Sequence, residues 1–291
     1  MSSNGLIHPD TNIASVALTI SNLGLSLAFY QDVLGFQLHR QVERTAYLGA
    51  GKADLVELIE EPAATHPGRT TGLYHMAIRV PSPLELARTL RRLVEGNWPL
   101  QGFADHGVSQ AIYLADPDGN GIEVYRDYPR QQWRYQNGQL SMSTDPLDVD
   151  GLLAELRKEP GEARHLPPET DMGHVHLRVA DIPGSEQFYC KVLGFELIQR
   201  YGPSASFVAA GGYHHHIGMN TWGSHGAPPP PPGALGLHRF TIHLPNQTEL
   251  TRMANRIQAA DIMTSEEDRG IFLRDPAGNG ILLTANGSGQ T

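Results

Sequence analysis

Hydrophobic and polar positions alternate along residues 13–20, the period of a strand with one buried face. The period then changes. Across residues 22–34, Leu23, Leu27, Tyr30 and Leu34 fall on one face of a helix, and Gly35 supplies the left-handed residue that ends it. Short strands follow near residues 36–42, 45–50 and 54–60. The cycle starts again with a strand at 74–80, a helix at 83–95 and strands at about 98–103, 109–115 and 121–126. The run Asp116-Pro-Asp-Gly-Asn-Gly121 reads as a tight turn between the last two. The pattern predicts one βαβββ unit made twice.

The second half of the chain repeats the first. Val16–Phe36 matches Val175–Phe195 at an offset of 159 residues, both segments ending Phe-Tyr-x-x-Val-Leu-Gly-Phe. Tyr113–Ile122 matches Phe272–Ile281 at the same offset. Two separate matches at one offset imply duplication of a whole half. The predicted organisation is therefore residues 1–127 with modules one and two, a polar Pro- and Gly-rich linker at 128–172 with one short helix near 148–158, and residues 173–291 with modules three and four. Pro228–Pro232 is expected to be a stiff extended spacer between modules three and four, in preference to a ligand for an SH3-like domain.

Composition narrows the classes of function. Hydrophobic residues make up 40% of the 291, as in a folded protein, and no apolar run reaches the roughly 18–20 residues of a membrane span. The N-terminal segment has no basic region followed by an apolar stretch, so a cytoplasmic protein without a secretory signal is expected. A formal charge of −9 makes nucleic acid a poor partner. The single cysteine, Cys190, excludes an internal disulfide and a thiolate metal cage, and its helical setting suggests a small packed residue. The chain has fourteen histidines, and only their placement can give any of them a role.

The Phe-Tyr-x-x-Val-Leu-Gly-Phe helix ends and the Asp-Pro-x-Gly-Asn-Gly turns resemble the vicinal oxygen chelate superfamily, which includes glyoxalases, fosfomycin-resistance enzymes and type I extradiol dioxygenases. The resemblance covers nearly the whole chain. It implies an α+β fold in which four βαβββ modules form two cupped mixed sheets.

In that superfamily the metal ligands come from the first and last strands of a module. Module two begins Tyr74-His75-Met-Ala-Ile and ends Gly121-Ile-Glu123-Val-Tyr, and module three begins Gly173-His174-Val-His-Leu. The resemblance thus implies His75, His174 and Glu123 as metal ligands. Two neutral imidazoles and one carboxylate on a six-coordinate Fe(II) leave three positions for a bidentate diol and O2, and Mn(II) accepts the same set. Modules one and four act as a control, because Ser15 and Arg239 stand at the histidine positions and Leu282 at the carboxylate position. This ligand set requires module two to pair with three. Pairing of one with two would instead gather His75, Glu123 and Glu57, a set closer to a glyoxalase or epimerase site. His176, two residues past His174, is expected to line the pocket.

The run Gly212-Tyr-His-His-His-Ile-Gly218 is expected to form the last strand of module three. Extradiol enzymes carry there a histidine that moves protons beside the O2 position. The family pattern selects His215, with His214 and His216 left open. Tyr113, ten residues before Glu123, matches a family tyrosine that binds the substrate oxygen, and His106 lies shortly upstream of it.

The Tyr-His-His-His-Ile-Gly and Asp-Pro-Asp-Gly-Asn-Gly-Ile-Glu runs resemble the bacterial catechol 2,3-dioxygenase branch. The resemblance implies meta cleavage of a catechol-type molecule by O2 at non-haem Fe(II), giving a 2-hydroxymuconic semialdehyde-type product, and it is compatible with a homo-oligomer. The competing readings are a lyase, isomerase or epimerase on the same scaffold, and a metal-free binding protein. The latter would lack the ligand set.

Overall fold

Strand alternation decides the architecture, because successive side chains point to opposite faces of a sheet and the apolar face must be buried. The computed structural model describes residues 5–158, 161, 163–267 and 270–286. Module one comprises β1 (Asn12–Ile20), α1 (Leu23–Ala28), β2 (Gln37–Val42), β3 (Thr45–Gly49) and β4 (Val56–Glu60). Module two comprises β5 (Gly72–Arg79), α2 (Pro83–Glu95), β6 (Leu100–Asp105), β7 (Ser109–Ala115) and β8 (Gly121–Asp127). The linker holds a small hairpin, β9 (Tyr135–Gln136) with β10 (Gln139–Leu140), and α3 (Val149–Ala154). Module three is β11 (Asp171–Arg178), α4 (Ile182–Glu186), β12 (Glu196–Tyr201), β13 (Ala205–Ala209) and β14 (Ile217–Asn220). Module four is β15 (Gly236–Leu244), α5 (Gln247–Ala259), β16 (Thr264–Glu267), β17 (Gly270–Arg274) and β18 (Gly280–Ala285).

Two eight-stranded mixed sheets result. One runs β16-β17-β18-β15-β1-β4-β3-β2 and joins modules four and one. The other runs β12-β13-β14-β11-β5-β8-β7-β6 and joins modules three and two. Each duplicated half thus gives one module to each sheet, and the seams are the antiparallel pairs β1–β15 and β5–β11. The apolar backs of both sheets and the inner faces of the helices share one core, containing Leu18, Met76, Val175 and Phe240 from the seam strands and Tyr30, Leu90, Tyr189 and Ile257 from the helices. No helix among the described residues is long and apolar enough to cross a membrane.

Local chemistry explains the helix ends. Asn22 caps α1 by accepting from the Leu25 N–H, and α1 passes into a π-helical turn over Phe29–Val33. Gly35, at φ +90°, then turns the chain, a conformation that a residue with a Cβ adopts only at a cost. The repeated motifs meet across the two sheets. The Tyr30 hydroxyl donates to Asp116 Oδ2 at 3.1 Å, while Asp116 also accepts from the Asn120 side chain and from the Asp118 and Asn120 backbone amides. Tyr189 and Asp275 repeat the contact at 2.9 Å in the other half. Each tyrosine–aspartate pair therefore fastens a helix of one sheet to a turn of the other.

Cys190 is half-buried against the core, and burial pushes its thiol up to about 11, so it behaves as a small packed residue. The triple histidine departs from expectation. Gly211 and Gly212 both take positive φ (59° and 67°), and β14 begins only at Ile217, so His214, His215 and His216 lie in the connection entering the strand. Strand alternation therefore does not order their side chains.

Tyr30→Phe removes one buried bond to a carboxylate, and we expect it to lower unfolding free energy by about 1–3 kcal/mol in urea titrations. Tyr189→Phe should cost a similar amount. The two losses should add, because the pairs do not touch.

Candidate metal centre

The seam β5–β11 lies beside β8, and the three strands point alternate residues into the cup. Met76, Ile78, Ile122, Val124, Val175 and Leu177 enter the core, so His75, Glu123 and His174 face the other way. Register brings them together. Ala77 of β5 pairs with Glu123 of β8 and with His174 of β11, while His75 pairs with His176. The β5–β11 ladder shifts register between Met172 and His174 and again between His176 and Leu177. Ala77, buried and small, leaves the space between the two donors open.

The three donor atoms lie within 4.8 Å of one another. Glu123 Oε2 is 3.0 Å from His75 Nε2 and 3.3 Å from His174 Nε2. The residues are only 7%, 3% and 1% exposed for His75, Glu123 and His174. His75 Nε2 is buried and has no hydrogen-bond partner despite this approach. Three nearly dry groups converge with only one hydrogen bond among them, His174 to Glu123, and His75 Nε2 left over, which fits a divalent cation; a buried carboxylate between imidazoles would otherwise be expensive.

The electrostatics keep the carboxylate of this set ionised. Burial alone would raise Glu123, but the charge and hydrogen bonding of His174 and then of His75 hold it well below the carboxylate range. Burial lowers His174 to about 4. His176 and His215 also lie well below the usual imidazole value, both first through burial and then through neighbouring histidines.

A cavity of about 710 Å³ opens over the triad, with Tyr74, Phe103, Phe207 and Trp222 on its walls. His75 and Glu123 open on it, together with His106, Tyr113, His176 and His215. Tyr113 is a cross-strand neighbour of Glu123. The His106 ring is fixed at both nitrogens. Its Nδ1 donates to the Ser143 carbonyl at 2.8 Å, so its Nε2 accepts from the Tyr113 hydroxyl at 2.7 Å. Burial and the nearby Glu123 push the Tyr113 phenol well up, which keeps it protonated. His215 lies against His174 with ring centroids 4.0 Å apart. His176 faces the cup but is not one of the three converging donors, and its Nε2 accepts from the Asn220 side-chain amide at 3.1 Å. Glu57 lies on the other sheet, where Arg239 donates to it at 2.8 Å, and Ser15 donates to Thr241. His75, Glu123 and Glu57 are therefore not brought together.

Of the other histidines in the triple run, His214 bonds Asp127 and His216 Nδ1 accepts from the Ala210 N–H. Asp127, Tyr125 and Tyr213 were not singled out from the sequence. Tyr125 and Asp127 follow Glu123 by two and four residues on one strand, so alternation alone places all three on the cup side. Tyr125 is fully buried beside His174, and it packs where any Cβ on Gly173 would stand.

A family model described as the Glyoxalase/Bleomycin resistance protein/Dioxygenase superfamily matches residues 12–124 and 171–283. The catechol-2,3-dioxygenase of Bacillus subtilis (strain 168) is 46% identical over 283 residues, covering 96% of this chain and 98% of that protein. Glyoxalase I of Zea mays has the same fold, with a TM-score of 0.59 at 16% identity over 95% of this chain and 92% of that one.

The buried imidazoles set an acid limit on stability. Folded His174 titrates at about 4 and His216 at about 3, with His176 and His215 also depressed, against about 6.5 in an unfolded chain. The unfolded state therefore binds protons that the folded state refuses. Stability should be complete above about pH 6.5 and be lost as the pH falls toward the folded values, by up to about 1.4 kcal/mol per pH unit per histidine. Urea midpoints of the metal-free protein should be flat above about pH 7 and should decline between about pH 6.5 and 4.

Proposed function

The chain belongs to the glyoxalase/bleomycin resistance protein/dioxygenase superfamily, and from that premise we propose that it is an extradiol dioxygenase that opens a catechol ring with O2 at Fe(II) held by His75, Glu123 and His174. The observation that carries this reading is the convergence of those three buried donors beneath a cavity that also presents His215 and the Tyr113–His106 pair. Near-full-length similarity to a catechol-2,3-dioxygenase supports it. The product class is a 2-hydroxymuconic semialdehyde. Mn(II) accepts the same donors, and we assign Fe(II) on the two-histidine, one-carboxylate set with open positions.

When bound, the metal supplies a template for the diol and O2 and a path for electron density between them. The chain supplies position, proton transfer and exclusion of water. Glu123 and the neutral imidazoles leave about one positive charge at a divalent ion, which favours a deprotonated diol. Tyr113 donates its proton to His106, so its oxygen turns its lone pairs toward the cavity and accepts from a substrate hydroxyl. His215 starts neutral and takes a proton from the diol, then returns it later in the cycle. The aromatic side chains on the cavity wall offer apolar surface against which a ring can pack.

Loading the full chain with Fe(II) under argon and then admitting air with catechol should give a yellow ring-opened product and one O2 consumed per catechol. A colourless mixture without O2 uptake would refute the oxygenase reading. His215→Ala should keep its iron and lose about 10²–10⁴-fold in kcat.

His174→Ala should abolish tight Fe(II) binding in equilibrium dialysis, whereas Glu57→Ala should bind as the parent does. The reverse pattern would mean that the triad is not the metal centre.

A further inference from the structure

Behind His215, on the side away from the cavity, stands a second layer of polar groups that the chemistry above does not use. Asp127, at the end of β8, is its anchor. Asp127 Oδ2 accepts from the Tyr213 hydroxyl at 2.9 Å and from Arg79 Nη1 at 3.1 Å. Arg79 is held in turn by Asp171, and Tyr213 shares a 2.7 Å bond with Tyr125. Burial would raise Asp127, but His214, Arg79 and Tyr213 together keep it below the ordinary carboxylate range. The carboxylate is therefore a fixed acceptor. Its other oxygen, Oδ1, lies 2.9 Å from His214 Nε2, so that nitrogen carries a hydrogen.

The His214 ring, fully buried, passes the constraint on. Its Nδ1 lies 2.8 Å from Nδ1 of His215, and one of the two must donate. In the tautomer that the Asp127 carboxylate selects, the ring hydrogen of His214 sits on Nε2. Its Nδ1 is then a lone pair, and His215 Nδ1–H is the donor. The remaining nitrogen of His215, Nε2, is left with a bare lone pair. His214 engages the other ring nitrogen, and His215 lines the cavity.

We propose that Asp127 and His214 are positioning residues that hold His215 in its Nδ1–H tautomer, so that Nε2 stands ready as the proton acceptor for a catechol hydroxyl. The inference rests on the reading of His215 as the proton-transfer group. It adds a physical reason for two adjacent histidines: one is exposed to substrate, and the other is a buried spacer that transmits the orientation of a carboxylate. A misoriented ring would present Nε2–H to the substrate, which is a donor where an acceptor is needed. The logic is that of any imidazole base oriented by a carboxylate, with one more ring inserted.

The tautomer is directly measurable. Full-length protein with 15N-labelled histidine, loaded with diamagnetic Zn(II), should show His215 with a protonated Nδ1 and a bare Nε2, the signals being assigned by their loss in His215→Ala. Asp127→Asn and His214→Phe should each shift that ring toward a mixture of tautomers. In the Fe(II) enzyme, Asp127→Asn should lower kcat by about 10-fold or more, with catechol KM and iron content unchanged. Asp127→Glu should recover part of the loss. A parent spectrum with the proton on Nε2 would overturn the proposal, even if neither variant folds. So would variant spectra identical to the parent, or a loss of kcat that tracks lost iron. If the expected tautomer appears in a protein that leaves catechol intact, the positioning inference stands and the oxygenase reading falls.

Discussion

The antiparallel pairing of β5 with β11 is the constraint on which the site depends. It joins strands from different halves of the duplicated chain and sets His75 and His174 on one face beside Glu123. Strand spacing of about 4.8 Å brings donors on neighbouring strands close enough to share one cation; module two supplies two of them, and the seam adds the third. The register shifts flanking His174 and His176 belong to the same constraint, since a bulge re-aims a side chain without ending the ladder. Gly173 sits in the first of these shifts and makes room for Tyr125, which packs against His174.

The two sheets are one scaffold used in two ways. At the seam of modules two and three, alternation delivers two imidazoles and a carboxylate and leaves His75 Nε2 without a hydrogen-bond partner. At the seam of modules one and four it delivers Ser15, Thr241, Arg239 and Glu57, which satisfy one another. A guanidinium neutralises Glu57 there, so that seam has no need of a metal to balance buried charge. The difference is carried by a few side chains on an otherwise repeated frame.

Much of this was legible in the sequence. Alternation gave the strands, the change of period gave the helices, and the 159-residue offset gave the duplication. His75, Glu123 and His174, which the resemblance picked out, converge in the structure because each sits on a strand whose alternation turns it toward the cup. What escaped was chemistry that depends on contacts between distant segments. His214 could not be separated from its neighbours, because two successive left-handed glycines delay β14 and no period applies to the residues between. Asp127 looked like a strand end, and only its meeting with His214 from module three gives it meaning. The linker read as irregular, and its Ser143 carbonyl fixes the ring of His106.

The order of modules along the chain has a further result. Modules two and three, adjacent in sequence, make the inner sheet, and modules one and four, at the two ends, make the outer one. Like nested parentheses, the inner pair is complete once the chain has been made as far as Asn220, whereas β1, already paired with β4, gains its seam partner only when β15 emerges. On the ribosome the cup of modules two and three can therefore assemble first, while β1 waits with an open edge that could recruit a neighbouring chain. The sheet of modules one and four, away from the candidate site, is thus the one that governs how safely the enzyme is made.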